Sequence, residues 1–329
     1  MAQRFGLTTE ELAVRTHGRA QRALGATDVG DLFAQYRAVI GPPADELSDL
    51  ARSALEDLRN GITPGAEALQ ALEYAIRLMR PAPLVRRGVI DPLEPEAVAA
   101  FPGWDTFQEA VKPYLSAVAR IDRAEQRGLV AQPVVGTGFL VGPTSLVTNR
   151  HVVDELTLGT SRLGPGQAVA RFGQEYKETP DPAAVPVAEV AAVHPDLDLA
   201  VLRLERPPDD SFPTPASPFP LAPVAVEDGA GVAAIGYPVE DARNPSFVKL
   251  VFNDRYKVKR VAVGEVTGSG RGVLFHDCTT LGGNSGSPVL TLDGAQLVGV
   301  HFTGFYLARN EALTGEPVLE FLGPFAGGG

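Results

Sequence analysis

The chain has 329 residues, of which 44% are hydrophobic and 21% charged, and its formal net charge at pH 7 is −11. This composition is typical of folded globular proteins and excludes a disordered chain. The acidity is spread along the whole chain, which argues against nucleic acid as a partner. A single cysteine, Cys278, excludes an internal disulfide framework and a metal site with several cysteine ligands.

Targeting signals are absent from the sequence. No apolar run approaches the roughly 18 residues that a membrane-spanning helix needs. Residues 1–21 also lack the apolar core and small-residue cleavage site of a secretory signal peptide. We therefore expect a cytoplasmic protein that does not enter a membrane. The densest basic cluster alternates in a way that predicts the edge or solvent face of a strand; it comprises Arg255, Lys257, Lys259 and Arg260.

Residues 1–80 have the periodicity of amphipathic helices. Four helices are predicted, and glycine or proline ends three of them. The first begins with a capping box of Thr8 and Glu11, and the fourth begins with Thr63 as its cap and Pro64 in its first turn. Four short helices with tight loops predict a small helical bundle, and nothing in it suggests catalysis.

Residues 81–112 lose this periodicity, and prolines recur along them. We interpret this stretch as a linker with a short helix near residues 104–111. Three aromatic residues would pack it against the domain that follows; they are Phe101, Trp104 and Phe107.

Residues 113–329 change to short β-branched runs that glycine and proline separate. Ten strands are predicted: Val118–Asp122, Val134–Val141, Ser145–Thr148, Val187–Val193, Leu199–Leu204, Gly231–Ile235, Val261–Val266, Val273–His276, Pro288–Leu290 and Leu297–His301. So many short strands with few helical stripes indicate an antiparallel barrel or sandwich. A proline-dense loop, 206–223, lies where two barrels would be joined. The fold class is therefore mainly β with a helical N-terminal domain.

Three short motifs in this β-rich part carry chemically useful side chains. A strand over 146–153 delivers His151 at its end, and Asp198 leads directly into a buried strand, with Asp196 as a nearby alternative. A glycine-rich turn, 282–288, surrounds Ser285. Each motif alone has an ordinary structural explanation, as a strand-end histidine, a turn aspartate or a hairpin.

Together, in the order His, Asp, Ser, the motifs predict nucleophilic catalysis. A serine hydroxyl is a weak nucleophile until an imidazole takes its proton, and that imidazole needs a carboxylate on its other nitrogen. Glycines beside Ser285 let backbone N–H groups turn inward, so those of Gly283 and Ser285 are candidates for an oxyanion hole.

Other catalytic signatures are missing. A Gly-x-Ser-x-Gly nucleophile elbow fails because position 287 is Ser. No His-Glu-x-x-His zinc motif occurs, and Gly136-x-Gly138 lacks the third glycine of a dinucleotide site. We therefore expect neither a metal nor a cofactor.

The motifs resemble those of trypsin-like (chymotrypsin-fold) serine peptidases of bacteria, over Val118 to Phe321. The segments that carry the resemblance are Gly136–Val141, Thr148–His151, Gly236–Pro238, Asp198–Leu202 and Gly283–Pro288.

The resemblance implies two six-stranded antiparallel barrels with the active site between them. It assigns His151 as general base, Asp198 as the residue that orients it, and Ser285 as the nucleophile that forms an acyl-enzyme. The N–H groups of Gly283 and Ser285 become the oxyanion donors, and the substrate becomes a protein or peptide. Asn284 replaces the Asp that pairs with a newly cut N-terminus in many digestive trypsins, so that activation switch is not expected.

Within this family the sequence is most similar to the glutamyl endopeptidase (V8-like) branch. There, a threonine five residues before the nucleophile and a histidine in a Gly-[Val/Ile]-His-[Trp/Phe] strand bind an acidic side chain. Thr280 and His301 stand at these positions, and a hydroxyl and an imidazole can donate hydrogen bonds to a carboxylate. We expect cleavage after Glu or Asp, with a small or hydrophobic residue as the alternative. Phe302, Thr303 and Gly304 should pair with the substrate backbone as an added strand.

Residues 1–80 resemble, in architecture, the small helical adaptor domains that are fused to trypsin-like peptidases in bacterial, antiviral defence systems. The resemblance implies that they bind a protein partner or regulate the peptidase. The alternative function is a binding or adaptor protein that keeps the peptidase fold but is catalytically silent.

Overall fold

The structure, a computed structural model, describes residues 9–25, 27–124, 134–160, 162–164, 166–176, 184–205, 217–240, 251–305 and 309–326. Thr8 of the predicted capping box and most of the proline-dense loop lie outside these residues. Among the helices so described, none is long and apolar enough to cross a membrane.

Residues 9–78 form a bundle of helices. In chain order they are α1 Thr9–Leu24, α2 Val29–Gln35, α3 Arg37–Ile40, α4 Ala44–Arg59 and α5 Ala66–Leu78. The second predicted helix is interrupted at Tyr36, and Asp28 caps its first part by accepting hydrogen bonds from the backbone N–H groups of Gly30 and Asp31. The predicted start of the fourth helix was wrong: Gly65 is the N-cap, because the first backbone bond runs from Leu69 to the Gly65 carbonyl.

The chain between the bundle and the barrels is also ordered into short elements. They are the hairpin of β1 Val85–Arg86 and β2 Val89–Ile90, followed by α6 Pro95–Ala100 and α7 Trp104–Leu115. Phe101, Trp104 and Phe107 are at most 2% exposed and belong to the same hydrophobic core as the first barrel. These residues therefore pack against the β-rich part, as the sequence predicts.

The remaining strands form two closed six-stranded barrels, which confirms the predicted fold class. The first contains β3 Val118–Arg123, β4 Val134–Leu140, β5 Ser145–Thr148, β6 Ala168–Arg171, β7 Ala184–Val193 and β8 Ala200–Leu204. The second contains β9 Gly231–Gly236, β10 Arg260–Gly270, β11 Val273–His276, β12 Pro288–Thr291, β13 Leu297–Phe305 and β14 Arg309–Leu313. Every neighbouring pair in each barrel is antiparallel.

Two helices accompany the barrels. The helix α8, Arg150–Thr157, follows β5, and α9, Glu316–Ala326, closes the described chain. The strand predicted at Ser145–Thr148 is confirmed as β5, but the motif 146–153 is not a strand throughout: His151 lies in the first turn of α8. Asn149 turns the chain from strand to helix, in extended conformation with φ −83° and ψ 154°.

The helical bundle and the second barrel share one hydrophobic core. A single cluster of buried residues joins helical side chains such as Leu32, Phe33 and Leu72 to residues from all six strands of this barrel; those residues are Val232, Ala234, Ala262, Val266, Leu274, Val289, Val298 and Ala312. Removal of the bundle would therefore expose apolar surface that the second barrel buries against it.

The predicted solvent-facing basic strand was wrong at two positions. Lys259 is fully buried and Arg260 is 5% exposed. The Lys259 ammonium donates to the carbonyl of Leu115 at 2.7 Å and to that of Phe172 at 2.9 Å. Lys259 thus links the second barrel to α7 and to the first barrel. The two carbonyls are the hydrogen-bond acceptors that a buried ammonium needs.

Candidate active site

His151 and Asp198 meet because of the pairing of two strands. Thr148 at the end of β5 lies opposite Ala200 at the start of β8, so the residues just outside the two strands are neighbours. His151 Nδ1 lies 2.6 Å from Asp198 Oδ2, and the His151 backbone N–H donates to Asp198 Oδ1 at 2.9 Å. The Asn149 side chain also donates to the Asp198 carbonyl at 2.9 Å. Both oxygens of the Asp198 carboxylate are therefore committed to His151.

The charge of Asp198 is set by these contacts. Burial alone raises the pKa of this carboxyl, but hydrogen bonds from the His151 ring and backbone, together with electrostatic attraction to His151 and Arg150, bring its pKa below the ordinary value. Asp198 is thus ionised at neutral pH, as a group that orients an imidazole must be.

Asp196, the alternative carboxylate for His151, lies in a different environment. It is exposed, and its backbone N–H and that of Leu197 donate to His194 Nδ1 at 3.1 and 2.9 Å. The geometry therefore pairs His151 with Asp198.

Contacts from both barrels hold the loop that carries Ser285. The Thr137 backbone N–H of the first barrel donates to the Ser285 carbonyl at 2.8 Å, and its hydroxyl donates to the Gly283 carbonyl at 2.7 Å. On the other side, Gly286 N–H donates to the His301 carbonyl at 2.8 Å, and His301 N–H donates to the Ser287 carbonyl at 2.9 Å.

Glycine is required at two positions in this loop. Gly283 and Gly286 both have φ +87°, which side chains rarely tolerate. A methyl group would lie 2.4 Å from the Tyr237 carbonyl oxygen at Gly283, and 2.1 Å from that of Thr137 at Gly286. The glycines thus allow the backbone of the loop to lie directly against its neighbours.

Ser285 lies beside the helix that carries His151. A methyl group at Gly136 would be 2.7 Å from Val152 Cγ2 and 3.1 Å from the Ser285 carbonyl oxygen, so this one glycine touches both. Among the residues that the structure describes, no hydrogen bond joins the Ser285 hydroxyl to His151. Such bonds commonly tighten only in the complex with substrate.

The backbone N–H groups of Gly283 and Ser285 have no acceptor within the described part of the chain. The backbone N–H of the intervening Asn284 donates to the Leu281 carbonyl at 3.2 Å, and the Asn284 side chain donates to the same carbonyl. The two predicted oxyanion donors are therefore available beside Ser285, in a loop that is held by its own hydrogen bonds.

Thr280 and His301 lie on neighbouring parts of the second barrel, 7% and 3% exposed. Asn310 connects them: it accepts a hydrogen bond from the Thr280 hydroxyl at 3.0 Å, and on β14 it lies opposite Gly304 of β13, the strand of His301. Its side chain also donates to the Cys278 carbonyl at 2.6 Å.

The outer part of β13 carries the predicted substrate-pairing residues Phe302, Thr303 and Gly304. There β13 pairs with β14 on one side, whereas its pairing with β12 ends at Val300. Within the described residues, no strand covers the second edge of β13 at 302–304.

His276 is a residue of this region that sequence reasoning missed. It is fully buried on β11, and its Nε2 lies 3.2 Å from His301 Nδ1. Burial lowers the pKa of His276 to about 3, and burial, His276 and His151 together hold the pKa of His301 well below its ordinary value. Both rings are therefore neutral at pH 7. The sequence places His276 at the end of a predicted strand. It does not show which strand the His276 side chain faces.

Comparison with known proteins places this arrangement in context. A sequence profile described as "Trypsin-like peptidase domain" matches residues 136–300, about half of the chain, and that range includes His151, Asp198 and Ser285. The chain is 29% identical over 275 residues to a protein named "Probable serine protease" from Lysobacter enzymogenes, covering 71% of this chain and 69% of that protein.

Solved structures with similar folds include two proteases. One is the serine endoprotease from Yersinia pestis, with a TM-score of 0.46 and 17% identity over 67% of this chain and 66% of that chain. The other is the inactive form of the Rv3671c protease, with a TM-score of 0.43 and 20% identity over 67% of this chain and 93% of that chain. The chain thus spans about two thirds of the length of the Yersinia protein.

Proposed function

The chain belongs to the trypsin-like peptidase family of serine endopeptidases, and from this premise we propose which residues hydrolyse the peptide bond and which bonds are cleaved. His151 accepts the proton of the Ser285 hydroxyl, whose oxygen attacks the carbonyl carbon of the substrate. Asp198 keeps the other nitrogen of the ring protonated and stabilises the imidazolium that forms. The observation that supports this assignment is the pair of contacts from one carboxylate to the ring and backbone of His151.

The next steps use the same groups. The N–H groups of Gly283 and Ser285 donate to the negative oxygen of the tetrahedral intermediate, where charge develops. His151 then gives its proton to the leaving amine, which leaves an acyl-enzyme on Ser285. A water molecule repeats the sequence: His151 takes its proton, and the carboxylic acid departs as the proton returns to Ser285.

Specificity for Glu or Asp is the finer part of the proposal. Because both rings are neutral, one of the two facing nitrogens of His276 and His301 must donate and the other accept. When His276 donates, His301 carries its own proton on Nε2, and this N–H donates a hydrogen bond to the substrate carboxylate. The Thr280 hydroxyl, which donates to Asn310, turns to the same carboxylate. Hydrogen bonds to a charged group contribute about 1.5–3 kcal/mol each.

This account predicts a preference for Glu over Gln. One such hydrogen bond corresponds to a ratio of kcat/KM values of roughly 10 to 100 at pH 7. Matched peptides with Glu or Gln before the scissile bond measure it.

Neighbouring threonines supply the control for this prediction. Thr280→Val removes the proposed donor and should lower the Glu/Gln ratio about tenfold. The hydroxyl of Thr279, 1% exposed, has no hydrogen-bond partner among the described residues, so Thr279→Val should leave the ratio unchanged. A ratio near one in the wild type would contradict acidic specificity but not the assignment of Ser285.

We propose that residues 1–80 recruit or regulate the peptidase through a protein partner, as adaptor-like helices would in bacterial defence. One observation favours a surface role for this bundle. The outer side of α4 is exposed and charged: it carries Asp45, Glu46 and Asp49, and Asp45 and Asp49 pair with Arg37 and Arg52. Such a surface suits a partner of complementary charge.

A further inference from the structure

Arg80 is a buried arginine that the proposed hydrolysis does not use. It follows α5 and its C-cap Met79, and it is fully buried. Its Nε donates to Asp277 Oδ2 at 2.9 Å, and its Nη2 lies 3.1 Å from Glu265 Oε2. The guanidinium also lies over the ring of Phe101, 5.0 Å from its centroid. A buried charge needs such partners, since removal of water is otherwise costly.

This arginine joins the helical bundle to the second barrel. Arg80 belongs to the end of the bundle, whereas Glu265 and Asp277 belong to β10 and to the residues after β11. The chain that follows Arg80 is also fixed to β10: Val263 N–H donates to the Pro81 carbonyl at 2.9 Å, and Val261 N–H donates to that of Pro83 at 3.1 Å. The position of Arg80 is therefore fixed by α5, which precedes it, and by the bonds to β10 of the segment that follows it.

Asp277 lies within the segment that builds the specificity pocket, residues 276–280. The residue before it, His276, contacts His301, and the carbonyl of the residue after it, Cys278, accepts from Asn310. Thr280 ends the segment and donates to Asn310. The second oxygen of Asp277 accepts from the Glu265 backbone N–H at 2.7 Å, so its carboxylate ties this segment to β10 and to Arg80 together.

We propose that Arg80 is a positioning residue for the specificity pocket: through Asp277 it fixes residues 276–280, and with them the groups that recognise the substrate side chain. The helical bundle is then a structural support of the pocket and not a detachable module. The inference rests on the proposed function, because it assumes that Thr280 and His301 line that pocket.

The test uses the full chain with the pair replaced together, Arg80→Met with Asp277→Asn, so that the fully buried Asp277 is not left as an isolated charge. Glu265, the other partner of Arg80, keeps 16% of its side chain exposed to solvent. With peptides that carry the residue preferred by the wild type, we expect KM to rise at least tenfold. We expect kcat and the rate of Ser285 labelling by a small fluorophosphonate to change less than threefold. Arg80→Lys keeps the charge but lacks the planar fork that reaches two carboxylates, so it should give an intermediate KM.

A second buried ion pair of the bundle provides the matched control. Arg19 Nη1 lies 2.9 Å from Glu73 Oε2, and both side chains are at most 7% exposed. Arg19→Met with Glu73→Gln removes this pair without contact to residues 276–280, and should lower the unfolding temperature while KM and selectivity stay unchanged. The inference is overturned if both double variants shift KM equally, or if Arg80→Lys and the Arg80 double variant keep the wild-type selectivity. A wild type that cleaves no peptide would instead refute the proposed function.

Discussion

Replacement of Ser285 by alanine is expected to abolish peptide hydrolysis while leaving the fold intact. The variant loses the nucleophile that attacks the peptide carbonyl in the proposed reaction, and comparable losses of a nucleophile lower kcat by about 10⁶. Residual hydrolysis should remain only at the level that the oxyanion donors and binding supply, about 10³–10⁴ over water. Initial rates on a peptide that the wild type cleaves measure the loss.

Peptide binding by the same variant separates an enzyme from a silent binding protein. The Ser285 hydroxyl makes no hydrogen bond to His151 in this structure, so Ser285→Ala should bind the peptide with a Kd within about threefold of the wild-type KM when KM reflects binding. A silent adaptor would show equal binding by both proteins and no product from either. Unchanged turnover in the alanine variant would contradict Ser285 as nucleophile.

Asp198→Asn is expected to lower kcat by about 10⁴ with little change in KM. The amide matches the shape of the carboxylate but presents an N–H group to one of its two contacts, His151 Nδ1 at 2.6 Å or the His151 backbone at 2.9 Å. The imidazole then adopts the wrong tautomer, or the backbone loses its acceptor. Steady-state kinetics at pH 8 measure the effect, where histidine side chains are mostly neutral.

Asp196→Asn is the matched control, because it makes the same chemical change two residues away. The Asp196 side chain is exposed and makes no contact with His151 in the described structure, so kcat should stay within about twofold of the wild type. If Asp196→Asn lowered kcat as much as Asp198→Asn, the assignment of the orienting carboxylate would be wrong.

The barrels could be predicted because most strands are short β-branched runs with glycine or proline at their ends. Two strands escaped prediction for a physical reason. Ala168–Arg171 has only one β-branched residue, and Arg309–Leu313 has none and begins with three charged or polar residues. Their extended form depends on ladder bonds to neighbouring strands. The hairpin at 85–90 escaped because each of its strands has two residues.

The chemistry of the site could be predicted from motifs that place one reactive side chain each. His151, Asp198 and Ser285 stand beside glycine, buried strands or both, and their roles depend on residue type. The contribution of His276, Asn310 and Arg80 could not be predicted in this way. Each acts through a partner on another strand or helix, and those pairings arise only when the second barrel closes on itself and on the bundle.

Burial of charge was the least predictable property. Lys259 and Arg260 belong to an alternating basic run that predicts a solvent face, yet both are buried where backbone carbonyls accept their N–H groups. The sequence does not show which backbone carbonyls will lie near a given side chain, since every residue has one. The same holds for the Arg80 pair with Asp277, whose members are 197 residues apart.

Covalent labelling of the full chain by a fluorophosphonate, followed by peptide mapping, tests the central claim most directly. A fluorophosphonate reacts with a serine whose proton is taken by a base beside an oxyanion hole, whatever the residue preference of the pocket. The account predicts one adduct, on Ser285, that forms in the wild type and at least a hundredfold more slowly in His151→Ala. An unlabelled Ser285, an adduct on another residue, or equal labelling without His151 would contradict it.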